Sequence, residues 1–340
     1  MSTATTDKNQ AGTAPGGPAG SGVNFLRVLK SEWIKVTTVP STVILLAVTV
    51  VVMIGLASLA AWGTAQLASD SAPAAGASAS AVPGEGGGTT PAVPEGATAP
   101  AVPEGATAPA IPEGATAPAE QTAPGVDTQA GPPAADSLVR DIPASGLFFG
   151  QLLIASLGVV LIASEWGTGM IRSTFSAVPK RTPALLAKNL IIAVVSFVVG
   201  AGAAFISYLI ARPILGTADL SLSLGDEGVL ASILNTGTCL ALIAVFAMAI
   251  GTLLRNTAGG VVTAIGIIFV LPLVVQIVSG LADWIPDAAR FLPSNAGAQL
   301  VSAGPIADGD LTQLQGGLVL AAWAAVLLVA SLVATKRRDV

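Results

Sequence analysis

Apolar residues along this chain of 340 gather into six long runs almost free of charge: Thr42 to Trp62, Ser145 to Ala163, Leu185 to Ile210, Val229 to Leu254, Gly259 to Leu281 and Gly316 to Thr335. Each has roughly the 20 residues that a helix, rising about 1.5 Å per residue, needs to cross the hydrocarbon of a bilayer. Lys188, near the start of the third run, is the one charge inside any of them. The pattern predicts an all-α membrane protein of six transmembrane helices. Three shorter stretches carry a helical period without the length. Phe25, Leu26, Leu29, Trp33 and Val36 share an arc of about 100°, with Arg27, Lys30, Ser31 and Lys35 mostly outside it, which predicts an amphipathic helix over 23–39. Glu32 sits at the margin of that stripe, within pairing reach of Lys35. Such a helix serves as a membrane-surface anchor or as a partner site. Met170, Ile171, Thr174, Phe175 and Val178 repeat the pattern after span two, ending at Pro179, and Trp284, Ile285, Ala288, Phe291 and Leu292 do so before span six, closed by Pro293. Phe175 alone reads equally as a residue dipping into lipid, and the last stretch as part of an aromatic belt.

Charge sets the orientation. With the N-terminus inside, Lys8, Arg27, Lys30, Lys35, Arg172, Lys180, Arg181, Lys188, Arg255, Lys336, Arg337 and Arg338 fall on the cytoplasmic side and Arg140, Arg212 and Arg290 outside, as the positive-inside rule requires. Both termini are then cytoplasmic, the first amphipathic helix and the one after span two are cytoplasmic, and the short helix before span six is extracellular. Residues 1–22 read as a disordered leader, 23–39 as the interfacial helix, 40–62 as the first span, 144–335 as spans two to six and 336–340 as a basic tail. The intervening 63–143 has no aromatic residue. It is built from Ala, Pro, Gly, Thr and Glu, and repeats Ala92-Val-Pro-Glu-Gly-Ala-Thr-Ala-Pro100 at 101–109 and, with Ile111 for Val, at 110–118. It predicts a disordered extracellular loop of polyproline character.

Composition then removes chemistry. Hydrophobic residues make up 52% of the chain and charged residues 10%, outside the range of soluble domains. The chain has no histidine and one cysteine, Cys239, which excludes His-based metal sites, imidazole catalysis and an internal disulfide. No acidic residue lies inside a span, which argues against intramembrane aspartyl proteolysis and an internal ion relay. A net charge of −5 disfavours nucleic acid as a partner. No phosphate-binding Gly-x-x-x-x-Gly-Lys-Ser/Thr loop occurs, so energy for transport would come from a separate subunit. Gln151, Ser207, Asn235, Thr238 and Gln276 lie within spans as interhelical hydrogen-bonding groups or, for Asn235 and Gln276, as lining of a pathway. Gly146-x-x-x-Gly150 and Ser196-x-x-x-Gly200-x-x-x-Ala204 permit close helix approach. A transporter component and a non-transporting sensor or scaffold both fit these readings, whereas an enzyme does not.

Four segments, taken in order, resemble the permease subunits of type-2 ABC transporters, especially the actinobacterial kind: Leu29-Lys-Ser-Glu-Trp-Ile-Lys35, Ser164-Glu-Trp-Gly-Thr-Gly-Met-Ile-Arg-Ser-Thr-Phe175, Leu253-Leu-Arg-Asn-Thr-Ala258 and Leu292-Pro-Ser-Asn-Ala296. The chain departs from that family at Gly169-Met170, where Gly-Thr is common, and at Gly167, where a larger residue is usual. The resemblance implies a bacterial plasma-membrane exporter built from two permeases, as a homodimer or heterodimer, with ATP hydrolysed by a separate ABC ATPase and no cofactor in this chain. It further implies that the helix after span two is a coupling helix. Glu165, Gly169, Ile171, Arg172 and Phe175 would then contact the ATPase, with Lys30, Glu32 and Trp33 beside them, and Leu292, Pro293, Ser294 and Asn295 would lie near the outer exit.

Overall fold

The computed structural model describes residues 25–71, 132–170, 181–307 and 309–337. These residues form helices and turns and no strand, and six helical segments are long and apolar enough to cross a membrane. The 1–22 leader, the repeat, and Ile171, Arg172 and Phe175 of the expected coupling helix lie outside the described residues.

Helix α1 (Phe25–Thr38) breaks at Val39, before Pro40, where a helical conformation is disfavoured, and α2 (Pro40–Ser71) forms span one. This helix runs nine residues beyond the boundary expected at Trp62, because no proline interrupts it before Pro73. The region 63–143, expected to be wholly disordered, also contains a helix, α3 (Pro132–Asp141). Its two prolines sit in the first turn, where a missing N–H costs nothing. A short 3-10 turn over Ile142–Ala144 then leads into α4 (Leu147–Gly167), span two.

Span three is α5 (Arg181–Gly216) and span four α6 (Val229–Leu254), the latter with the bounds expected from sequence. Span five is composite: α7 (Thr257–Ile265), a π-turn over Gly266–Val270 and α8 (Leu271–Val278). Pro272 accounts for the π-turn, since it withdraws an N–H from the α ladder and wider bonds take over. A six-residue helix α9 (Trp284–Ala289), α10 (Pro293–Val301) and span six, α11 (Gln313–Arg337), complete the bundle.

Helices α4 and α6 form the centre, lined with Ile154, Ile162, Leu240, Ile243, Phe246 and Met248. Spans one, five and six turn most of their apolar side chains outward, as lipid-facing helices do. Both small-residue patterns mark real crossings. A Cβ on Gly146 would come within 2.5 Å of the Met53 backbone on α2. Gly200 faces Gly237 where α5 meets α6, and a Cβ on Gly237 would lie 2.6 Å from the Phe197 carbonyl oxygen. At such crossings only the missing side chain lets the backbones approach.

Candidate functional site

The bundle has two chemically different ends. At one, α1 packs along the first turns of α5: Val28 against Ala187, and Val36 against Ile191 and Val195. The two helices therefore run in the same direction. This alignment puts Glu32, on the face of α1 shared with Val28 and Val36, opposite Lys188, and the end of α4 brings Glu165 to the same place.

The result is a closed ring of alternating charge. Lys188 Nζ lies 2.7 Å from Glu32 Oε2 and 2.7 Å from Glu165 Oε1. Lys35 Nζ lies 2.9 Å from Glu32 Oε1 and 3.4 Å from Glu165 Oε1. Glu32, Glu165 and Lys188 are 2%, 7% and 7% exposed, while Lys35 is half-buried at the rim. Two anions and two cations cancel, which is what lets full charges persist there. Burial pushes the Glu32 carboxyl up, but the charge and hydrogen bond of Lys188, then Lys35, outweigh it and hold it below its ordinary value. Burial pulls the Lys35 ammonium down, but Glu32 and Glu165 together hold it above its ordinary value. Glu165 Oε2 accepts no hydrogen bond from the described residues.

Beside the ring, the Arg255 guanidinium stacks on Trp166, 3.9 Å from the ring centroid. Arg255 caps α6 at φ 53°, a left-handed conformation unusual for a side-chain-bearing residue. Asn256 then caps α7 by accepting from the Gly259 N–H at 2.8 Å. One compact polar base thus ties α1, spans two and three, and the link between spans four and five.

The sequence-predicted site residues divide here. Glu32 and Glu165, expected at a partner contact, have their carboxylates turned into the chain's own ring. Lys30 and Trp33 stand exposed on the other side of α1. Gly169, exposed at φ 73°, turns the chain out of α4. The Glu32–Lys35 pair was legible from spacing. Lys188, Trp166 and Arg255 were not assigned roles, although a lone lysine inside an apolar run needs an acidic partner, and that is a usable signal.

At the far end, of the helix expected over 284–292 and closed by Pro293, α9 covers 284–289, and a second helix follows it. Pro293 opens α10 rather than ending α9, with Leu292 extended (φ −67°, ψ 145°) as the residue before proline should be. Pro293 and Ser294 are buried and Asn295 is half-buried, its amide donating to the Ala289 carbonyl at 2.9 Å. Helix α10 lies between α6 and α11, with its first turn as the deeper end. The Asn235 amide donates to the Leu300 carbonyl at 2.8 Å, Gly297 abuts the Cys239 sulfur, and Trp323 Nε1 donates to the Phe291 carbonyl at 2.9 Å. Cys239 lies about 15 Å along α6 from its start, so α10 reaches well into the bundle. Gln276, by contrast, is exposed on span five. The connection after α10 is pinned by Asp141, which accepts from the Ala303 N–H at 2.6 Å, and by Gln313, which donates to the Ser302 carbonyl. A groove of about 680 Å³ opens there, lined by Arg140, Glu227, Gln299 and Thr312 over Leu311 and Leu314. Compared with protein-family models, curated proteins and solved structures, the chain matches none.

Proposed function

We propose that this chain is the membrane subunit of an ATP-driven exporter of the type-2 ABC kind, working as one of a pair, with both termini in the cytoplasm of a bacterial cell. The observation that carries the reading is the meeting at one end of three of the four segments on which the resemblance rests: Lys35 from the first pairs with Glu165 of the second, Lys188 bridges Glu165 to Glu32 of the first, and Trp166 of the second stacks on Arg255 of the third. Span two ends at Gly167 and span three begins at Arg181, so the connection between them, 168–180, joins the chain at that base. Force applied to this connection by a soluble motor would pass to α1 and to spans two to five together, because all are tied at the base. In this reading Gly169, Ile171, Arg172 and Phe175 make the motor contact, while Glu165 and Glu32 hold the stems of the connection in place. At the other end α10, with Asn235 against it, closes the exit. The inserted helix is held by neutral hydrogen bonds, which suits an element that moves aside for an amphiphilic substrate.

Affinity purification of the full chain from native membranes in mild detergent tests this. The expected companion is an ATP-hydrolysing subunit, lost in Phe175→Ala and retained in Lys336→Ala. A sensor or scaffold would bring down partners without ATPase activity, and that result, or full ATPase retention by Phe175→Ala together with Arg172→Ala, would overturn the proposal.

A further inference from the structure

The ring has a second effect, on the outside of α1. Glu32 is the only acidic residue between Phe25 and Thr38, and the ring turns it inward and cancels it. What α1 presents outward is therefore basic and apolar: Arg27 and Lys30 stand exposed, and Leu26, Trp33 and Ile34 are 66%, 46% and 48% exposed. Leu26, Lys30, Trp33 and Thr37 follow one another at three- and four-residue steps along a single flank.

The level of this flank follows from what α1 touches. Val36 packs on Ile191 and Val195, inside the apolar run of span three, while Val28 packs on Ala187 at that run's beginning. Lys188 and Glu165 sit where spans three and two meet their polar ends. The stretch from Lys30 to Trp33 is thus held at the boundary between hydrocarbon and headgroups. There an indole ring lies at its preferred depth and an ammonium one turn outward reaches phosphate.

We propose that this flank of α1 binds the headgroups of anionic phospholipids. Lys30 supplies the cation, and Trp33 and Leu26 seat against the upper acyl chains. The match is one of charge complementarity: a one-sign surface continuous with a membrane span through Val39 and Pro40, whose only negative charge is neutralised within the protein. The inference rests on the six spans and not on the transport reading.

The test is lipid-selective quenching. The full chain and a Trp33→Phe variant are reconstituted in equimolar phosphatidylglycerol and phosphatidylcholine, with one or the other lipid brominated, and the fluorescence lost on removing Trp33 is followed. A basic residue near an anionic surface favours it by an amount equivalent to about a fivefold enrichment, so the Trp33 signal should report phosphatidylglycerol enriched about fivefold at low salt and falling as salt rises. The Lys30→Gln variant should fold normally, the position being exposed, and should show no enrichment. A paired change in the tail helix, Lys336→Gln with Arg337→Gln, should leave the enrichment unchanged. Equal quenching by both lipids in the wild type, or enrichment surviving in Lys30→Gln, would overturn the proposal. So would quenching by neither lipid, which would mean that protein covers the flank.

Discussion

Removing Lys188 is the most informative single perturbation of the base. In Lys188→Met the side chain keeps its bulk, but the two shortest contacts of the ring, both 2.7 Å, disappear. Glu32 and Glu165 then face each other at 2% and 7% exposure with only the half-exposed Lys35 between them, leaving one buried negative charge in excess. Breaking a buried pair from one side costs about 3–5 kcal/mol, or about 10 °C in Tm for a folded unit of this size. Adding Glu165→Gln restores neutrality, since the Glu32–Lys35 pair at 2.9 Å survives, so the double variant should recover most of the loss. Thermal unfolding in detergent, followed by tryptophan fluorescence, supplies the cycle, with an expected coupling of about 2 kcal/mol or more between the two positions. A Tm for Lys188→Met within about 2 °C of wild type would refute the ring as a buried, mutually dependent unit. Losses that simply add in the double variant would do the same.

The remaining expectations probe other contacts. Stability should depend on pH at both extremes. Glu32, held below its ordinary 4.5, adds stability above that value and loses it as pH falls through its lowered one, whereas Lys35, held above 10.5, adds stability below that value and loses it as pH rises through its raised one. Tm should therefore be flat from about pH 5 to about pH 10, and Glu32→Gln with Lys35→Met should flatten the fall on either side. Gly237→Val should drive the new side chain into the Phe197 carbonyl and Ala201, costing about 1–3 kcal/mol and lowering membrane yield; unchanged yield and Tm would deny the close crossing. Arg255→Ala should cost about 0.5–2 kcal/mol through loss of the stack on Trp166, visible as a shift in Trp166 fluorescence absent from the Lys336→Ala control.

Much of the fold was legible because membrane crossing is written in composition. Span four has the bounds that its charge-free run gives, from Val229 to Leu254, since Gly228 and Arg255 both adopt left-handed conformations that stop a helix. Where polarity stood in for structure, the reading fell short. Thr64, Gln66 and Ser69 looked like loop, yet α2 continues through them, with Thr64 and Ser69 bonding back to their own helix's carbonyls at 2.9 and 2.8 Å. Pro293 reads as a stop and Pro132 and Pro133 as part of a polyproline loop, yet all three begin helices, because a proline's effect depends on which turn it occupies. The ring was half legible. Glu32 and Lys35 are three residues apart on one helix, but Glu32 and Lys188 are brought together only by the parallel packing of α1 on α5, which no local spacing encodes.

The contrast between the two ends has an energetic consequence. At the base the links are full charges in a dry setting, where losing one member strands the others, so its parts are bound to move as a body or stay put. At the far end Asp141 pins only the connection after α10, while α10 and the turn before it are held by single neutral bonds: Asn235 to Leu300, Trp323 to Phe291, Asn295 to Ala289, each of about 1 kcal/mol when exchanged for water. Such bonds break one at a time. Helix α10 meets Cys239 through Gly297 and buries Ala296, Leu300 and Val301 beside it, so drawing it out uncovers Cys239 together with that apolar face. A reagent for buried thiols gives the measure. Cys239 has no exposed surface, so its labelling in the folded state requires α10 to move away, and Asn235→Ala, which removes one of the three bonds, should speed labelling by about fivefold to tenfold. Lys188→Met, acting at the opposite end, should speed it only in proportion to global unfolding. Equal acceleration by both variants under conditions where the bundle stays folded would show the two ends to be one cooperative unit and would sink the argument that the far end opens on its own.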